Sequence, residues 1–288
     1  MRAVSLHRDV LVVTSALLQL NCVIVRGDVG EGGGTVEGSA AESSVGALAG
    51  ATSHAETFVI DSPILPDELD ALPALLEQAQ FPAPSGLLVT HGDWDHMLSR
   101  LAFPDVALGC AESTAVRLQT SPGEAQRELR RFDEDLLVER QCPLALGSVQ
   151  ALPVPGRCAI GELELELHPT AGHTSDGMAV AIPWARVLVA GDYLSEVELP
   201  TLSKEGDLDA YLATLERLRA LVAGAEHVVP GHGPVLDCER ASAVLEEDVV
   251  YVKTLGELGA DAELPQSRRA AADRRAHSKN VEHVIRAR

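Results

Sequence analysis

Residues 91–96 constrain this chain more than any other part of its sequence. They read His-Gly-Asp-Trp-Asp-His, and four of these six side chains can bind a metal ion. They follow directly on the short apolar run 87–90, which predicts a buried strand. Crowding two carboxylates and two imidazoles together is costly, because groups of like charge repel at short range. A divalent cation removes that cost, so the run predicts a metal site at the end of a strand.

Three further candidate ligands follow predicted strands later in the chain: His173, Asp192 and His232. His173 comes after residues 162–168, where Glu and Leu alternate strictly, and Asp192 comes after the apolar run 187–190. Each of the three stands beside a glycine, which allows the backbone to approach closely. Strand ends that meet at one rim of a rigid scaffold can gather such residues. We therefore expect all three to join the cluster at residues 91–96.

Taken in order, these residues resemble the metallo-β-lactamase superfamily, whose pattern is HxHxDH, then GH(T/S), then GD, then PGHG. The resemblance runs from about residue 21 to residue 234. It implies an α/β protein with the αββα sandwich of that fold, in which two mixed β-sheets are flanked by helices, as a single domain over residues 1–288. It also implies two metal ions. By position, the first ion is held by His91, residue 93 and His173, the second by Asp95, His96 and His232, and Asp192 bridges the two.

The second histidine of the pattern is Asp93 in this chain. A carboxylate oxygen is a harder ligand than imidazole, so it shifts the metal preference from zinc towards iron or manganese. It also places three carboxylates around the ions, which weakens their Lewis acidity and raises the pKa of a bound water. We expect two divalent ions, with zinc the first choice and iron or manganese left open. An arrangement in which Asp93 points away and the first ion is weakly held also stays open.

The resemblance implies a metal-dependent hydrolase in which a metal-bound hydroxide attacks an ester, lactone, thioester or related acyl bond of a small molecule. Asp95 would orient the attacking water. Tyr193 is a candidate hydrogen-bond donor to the developing oxyanion, unless it is an ordinary half-buried tyrosine. Asp61 is similar to the family's buried aspartate, which supports a ligand and does not bind metal itself.

Two other functions remain open at this point. Asp93 motivates a non-haem iron oxidoreductase of the same fold, either flavodiiron-like or sulfur dioxygenase-like. A non-catalytic descendant of the family is disfavoured, because six of the seven ligand positions match the pattern.

Charge and cysteine content narrow the setting. The chain has 23 Lys and Arg against 43 Asp and Glu, a formal charge of −20, so nucleic acids and anionic membranes are poor partners. Its five cysteines are scattered and show no CxxC spacing, which favours a reducing compartment. The apolar run 10–25 is interrupted by polar residues and shows no cleavage site, so it predicts neither a signal peptide nor a membrane span. We expect a cytoplasmic protein that acts on a small molecule, with a homodimer left open.

The remaining sequence alternates strands and helices in two similar halves. Residues 10–13 and 20–26 predict a hairpin, and the run 27–53 is rich in Gly, Ser and Ala. We interpret this run as a flexible insertion, either a lid over the metals or a segment without function. Amphipathic spacing predicts helices over 66–80, 122–139 and 208–222, and two C-terminal helices within 238–288.

Overall fold

Two β-sheets packed face to face, with helices on both outer faces, form the frame that positions the candidate ligands. The computed structural model describes residues 1–27 and 55–287. Except for Gly27, which ends a strand, the predicted insertion 27–53 lies outside the described residues, and so does its suggested role as a lid. In the part of the chain that is described, no helix is both long and apolar enough to cross a membrane.

The first sheet is built from the N-terminal half of the chain. Its strands pair in sequence order, antiparallel up to the fourth strand and parallel from there to the seventh, so the sheet is mixed. They are β1 (Arg2–His7), β2 (Val10–Thr14), β3 (Asn21–Gly27), β4 (Glu56–Ile60), β5 (Gly86–Leu88), β6 (Leu108–Ala111) and β7 (Val149–Leu152).

The second sheet comes from the C-terminal half and is also mixed. Its strands are β8 (Gly156–Ile160), β9 (Leu163–Pro169), β10 (Met178–Ile182), β11 (Val187–Gly191), β12 (His227–Pro230) and β13 (Leu236–Asp237). They lie in the order β13-β12-β11-β10-β9-β8, and the pair β11–β12 is parallel while the others are antiparallel. The predicted sandwich of two mixed sheets is confirmed.

Helices cover the outer face of each sheet. The described α-helices are α1 (Pro66–Gln78), α2 (Ser99–Ala102), α3 (Glu112–Thr120), α4 (Glu124–Leu136), α5 (Leu208–Gly224), α6 (Cys238–Leu258) and α7 (Ala271–Ala287). The first four lie along the half that forms the first sheet, and α5, α6 and α7 share a hydrophobic cluster with the second sheet. A short 3₁₀ helix, Trp94–Met97, follows β5.

The core follows from the apolar patterns in the sequence. In β9 the leucines at 165 and 167 are fully buried between the sheets, while the intervening glutamates are not. On α5, Leu215, Leu218 and Val222 recur at helical spacing and face the second sheet. Burying one such aliphatic side chain contributes roughly 1.5–3 kcal/mol, so the sandwich provides a rigid base for the loops at its rim.

Candidate metal centre

The structure brings all seven predicted ligands together, where four loops meet. The cluster at residues 91–96 follows β5, and His173 lies in the loop between β9 and β10. Asp192 directly follows β11, and His232 follows β12. The parallel pairing of β11 and β12 sets these last two loops side by side, so closely that any side chain at Gly231 would collide with the Asp192 carboxylate. This glycine is therefore required by the close approach of the backbone.

The first ligand group consists of His91, Asp93, His173 and Asp192. Asp192 Oδ2 lies 3.7 Å from His91 Nε2 and 3.4 Å from His173 Nε2. Asp93 Oδ2 lies 3.5 Å from each of the same two nitrogens. Asp93 therefore faces the group, and its carboxylate does not point away from it.

The second ligand group consists of Asp95, His96 and His232, again with Asp192 beside it. Asp95 Oδ2 lies 3.5 Å from His232 Nε2, and Asp95 Oδ1 lies 4.0 Å from His96 Nε2. Asp192 Oδ1 lies 3.2 Å from His96 Nε2 and 3.6 Å from His232 Nε2. Because Asp192 turns one oxygen to each group, its geometry is that of a bridging ligand.

Four buried polar atoms in this cluster have no hydrogen-bond partner among the described residues: Nε2 of His91, His96 and His173, and Oδ1 of Asp192. Leaving one such group unsatisfied costs about 1–3 kcal/mol, so four that converge on one space require a ligand. Imidazole nitrogens and carboxylate oxygens gathered within 4.8 Å of one another suit divalent cations. The donor set therefore fits two metal ions.

Asp61 supports the second ligand group through a contact with His96. Its Oδ2 lies 3.0 Å from His96 Nδ1, and its carboxylate accepts hydrogen bonds from the backbone N–H and the hydroxyl of Thr90, at 2.8 and 2.9 Å. Asp61 is 1% exposed, so the pairing takes place away from solvent. An Nδ1 partner of this kind fixes the ring and leaves Nε2 for a metal, which agrees with the supporting role expected for Asp61.

The other three histidines are oriented in the same way. Their Nδ1 atoms contact Thr90 Oγ1 in the case of His91 (3.2 Å), the carbonyl of Thr201 in the case of His173 (2.9 Å) and the carbonyl of Leu18 in the case of His232 (3.0 Å). All four rings thus present Nε2 to the shared space.

The sequence comparisons agree with this geometry. A family model described as the metallo-beta-lactamase superfamily matches residues 148–232, the segment that carries His173, Asp192 and His232. Among curated proteins, the metallo-beta-lactamase type 2 of Bacteroides fragilis is 28% identical over 103 residues, which cover 32% of this chain and 41% of that protein. The segment that carries these three ligands is thus similar to the metallo-β-lactamase superfamily.

Solved structures show how widely the metallo-β-lactamase fold extends over the chain. The stereoselective inverting sec-alkylsulfatase Pisa1 from Pseudomonas sp. matches with a TM-score of 0.70 and 14% identity, covering 99% of this chain and 50% of that one. A protein solved in a di-iron-bound form, TTHA1623, matches with a TM-score of 0.54 and 21% identity, covering 81% of this chain and 97% of that one. At these identities the similarity establishes the fold. The matched region spans 41% of the length of the curated relative, and this chain covers 50% of the length of the alkylsulfatase.

The histidines and aspartates of this centre shift the pKa values of one another. Burial alone would lower the pKa of His96, but Asp61 and Asp192 outweigh it and raise that pKa well above its usual value. The same balance, now with Asp93 and Asp192, raises the pKa of His173 to about 9. The neighbouring histidines in turn hold the pKa of the Asp192 carboxyl well below its ordinary range, against the effect of burial. The Asp192 carboxylate is therefore ionised and available as a ligand at neutral pH.

Arg117, which sequence reasoning missed, contacts the residue that departs from the superfamily pattern. Its Nη2 donates to Asp93 Oδ1 at 2.7 Å, and its Nη1 donates to Asp176 Oδ1 at 3.0 Å. Asp176 Oδ2 in turn accepts from the backbone N–H of Gly92 (2.9 Å) and the hydroxyl of Thr114 (2.7 Å). No motif singles out Arg117 in the sequence, because only folding brings α3 beside residues 91–96.

Tyr193 does not fit the oxyanion role predicted for it. The side chain is 2% exposed, and its hydroxyl donates to the carbonyl of Thr170 at 3.0 Å. The same oxygen accepts the backbone N–H of His173, also at 3.0 Å. The hydroxyl proton is already donated to Thr170, and the oxygen accepts from His173, so the geometry assigns Tyr193 to holding His173 in place.

Residues at the N-terminal hairpin fix the loop that carries His232. The turn between β2 and β3 holds Leu18 and Gln19 in left-handed conformations, at φ 55° and 51°. Besides the Leu18 carbonyl at His232, the Gln19 carbonyl accepts from the N–H of Gly233 at 3.0 Å. The amide of Asn21 donates to the carbonyls of Pro230 (2.9 Å) and Gly233 (2.8 Å). The sequence pointed to the histidine but not to these anchors.

Proposed function

We propose that this protein is a metal-dependent hydrolase that cleaves an ester, lactone, thioester or related acyl bond of a small molecule. One observation carries the proposal: two ligand groups share Asp192, and unpartnered buried donor atoms from both point into the same space. When bound, two divalent ions would supply an activated water and an electrophile that polarises the scissile bond. Zinc is the proposed metal, because two histidine nitrogens contribute to each group.

Asp95 is the residue that we propose orients the attacking water. Its Oδ2 is the oxygen nearer to a histidine nitrogen, whereas Oδ1 lies 4.0 Å from His96 Nε2, beyond hydrogen-bond range of that ring. One oxygen can thus serve the metal group while the other accepts a proton from water. The Ser62 hydroxyl donates to the Asp95 carbonyl at 2.5 Å and so fixes the short helix that carries this residue.

A small, uncharged or weakly charged substrate fits the surroundings of the site. Three carboxylates contribute to the two groups, and the chain as a whole carries a formal charge of −20, which disfavours polyanions such as nucleic acids. The five cysteines, all described, form no disulfide. A cytoplasmic location remains a prediction from that composition.

The test combines metal content with a substrate panel. Metal ions per chain are counted by element on freshly purified protein, and the panel contains esters, lactones, thioesters, β-lactams and a secondary alkyl sulfate. We expect two zinc ions and turnover of an acyl substrate. Asp95→Asn should lower kcat by about 10²–10⁴-fold, the usual contribution of a positioned acid–base group, and counting metal in this variant separates that effect from loss of the second ion, which Asp95 would also hold.

Asp237→Asn is the matched control for this substitution. Asp237 caps α6 through the N–H of Arg240 on an exposed surface, and asparagine caps helices equally well. Its activity should equal that of the wild type. Full turnover by Asp95→Asn would contradict the assigned mechanism, and a protein without bound metal would contradict the function as a whole.

A second candidate, a non-haem iron oxidoreductase, is supported by the Asp93 carboxylate in the first group. Its Oδ2 lies at equal distances of 3.5 Å from His91 Nε2 and His173 Nε2, and an oxygen ligand of this kind suits iron. A structural relative in a di-iron-bound form agrees with it. Two irons in the purified protein, together with oxygen consumption on a candidate donor, would favour this reaction over hydrolysis.

A further inference from the structure

We propose that Arg117 is a positioning residue that makes Asp93 an electrostatic substitute for the histidine of the superfamily pattern. The inference rests on the metal binding that the proposed function requires. It does not depend on which bond is cleaved. Its basis is the geometry of one guanidinium between two carboxylates at the edge of the first ligand group.

The first step concerns which oxygen of Asp93 is free. Arg117 Nη2 occupies Oδ1 at 2.7 Å, and the opposite oxygen, Oδ2, is the one that faces His91 and His173. Charge-assisted hydrogen bonds of this length are strong, so Oδ1 is held away from the metal group. Asp93 can therefore offer a metal only one oxygen, as a histidine offers only one nitrogen.

The second step concerns charge. A guanidinium remains protonated in proteins, so Arg117 places a positive charge against the Asp93 carboxylate; because it also pairs with Asp176, it compensates that carboxylate in part. The prediction from sequence counted Asp93 as a third uncompensated carboxylate, which weakens the Lewis acidity of the ions. With Arg117 in contact, the effective charge of this ligand moves back towards that of the neutral histidine in the pattern.

The third step distinguishes this pair from an ordinary surface ion pair, which contributes little. The Arg117 side chain is 13% exposed, and Asp176, which holds its other nitrogen, is 1% exposed. Asp176 lies in the loop that carries His173 and also accepts the N–H of Gly92. Arg117 therefore ties together two of the three loops that supply the first group.

Zinc titration of three variants, against a competing chromogenic chelator and with metal counted per chain, tests the inference. In Arg117→Met we expect the zinc affinity of the first group to fall by about 10–100-fold, the usual effect of losing a residue that supports a ligand. The second group should keep its affinity. The double variant Asp93→His with Arg117→Met should recover two tightly bound ions, because an imidazole does not need Arg117 to hold a second carboxylate oxygen away from the metal group. A merely structural role for Arg117 would not produce this rescue.

Arg140→Met is the matched control. Arg140 is also a largely buried arginine in a carboxylate pair, with its Nε 2.8 Å from Asp133 Oδ2, but it touches neither ligand group. This variant should bind two ions as the wild type does. Unchanged affinity in Arg117→Met, or failure of the double variant to bind two ions, would overturn the inference.

Two further outcomes remain decisive. If Arg117→Met does not fold, the double variant alone decides, since the inference requires it to hold two ions. If the wild type holds two ions but hydrolyses no member of the panel, the proposed function fails, while the loss and rescue of zinc binding still support the role of Arg117.

Discussion

The two ligand groups share Asp192 but are supported in different ways. In the second group, His96 rests on the buried carboxylate of Asp61, and every ligand matches the superfamily pattern. In the first group, Asp93 stands where the pattern has a histidine, its side chain is 25% exposed, and an arginine from α3 contacts its carboxylate. Each group thus contains a contact between a carboxylate and a basic side chain: Asp61 with His96 in the second group, and Asp93 with Arg117 in the first. In the second group the carboxylate is the support, whereas in the first group it is the ligand.

This difference shows how a ligand position can change while the centre as a whole is kept. Replacing a neutral ligand by an anion adds negative charge around a metal ion, and a cation in contact with that anion offsets part of it. Here Arg117 lies in a separate helix, and folding brings it into contact. A ligand set taken from the motif alone omits Arg117 and its contact with Asp93.

The largest effect is expected from Asp192→Ala, which removes the residue that the two groups share. Its oxygens lie within 3.2–3.7 Å of four histidine nitrogens, so its loss leaves each group without one ligand and without its central negative charge. We expect both ions to be lost and activity to fall to background. Metal counting on the dialysed variant measures this. Retention of one ion would show that the groups are independent and that Asp192 is not a bridge.

Asp61→Asn should affect metal binding by the second group and leave the first group unchanged. The amide cannot act as a charged acceptor for His96, so we expect the affinity of the second ion alone to fall by about 10–100-fold. Zinc titration then shows one tight and one weakened site, the opposite of the pattern expected for Arg117→Met. Asp9→Asn is the control. Asp9 is a similarly buried carboxylate that pairs with Arg26, and it lies at the start of β2, whereas the turn that contacts His232 follows the end of β2. Equal losses at both groups would contradict separate support.

The smallest effect is expected from Tyr193→Phe, which tests a residue behind the first group. The substitution removes the acceptor for the His173 N–H but no ligand, so kcat should fall by less than about 10-fold, with two ions retained. Loss of an oxyanion donor would instead lower kcat by about 10²–10³-fold. A fall of that size with unchanged metal content would restore the role first predicted for this tyrosine.

Strands with a clear apolar pattern could be predicted from the sequence, and they are the ones that position ligands. The predicted strands at 178–182 and 187–190 agree with Met178–Ile182 and Val187–Gly191. The first strand, Arg2–His7, was missed, because most of its side chains are exposed at the sheet edge and leave no periodic signal. Helix α3 was missed for a similar reason, since only two of its residues are buried.

The ligands could be predicted because they stand next to strand ends and glycines, which are local features. Their partners could not. Arg117 and the Leu18 carbonyl contact the centre only through tertiary packing, and the direction of the Tyr193 hydroxyl depends on where Thr170 lies. Asp61 was found through the family resemblance, although its left-handed conformation, at φ 59°, had no signal in the sequence.

The hairpin turn beside His232 has a thermodynamic consequence. The carbonyls of Leu18 and Gln19 and the amide of Asn21 lie near residue 20, whereas the loop that they hold, with His232, lies more than 200 residues later. In the unfolded polypeptide the metal ligands are therefore not gathered together. An ion that binds only the assembled form makes the free energy of unfolding rise with free metal concentration. The survival of the folded protein in a cell would then depend on how much of its metal is supplied.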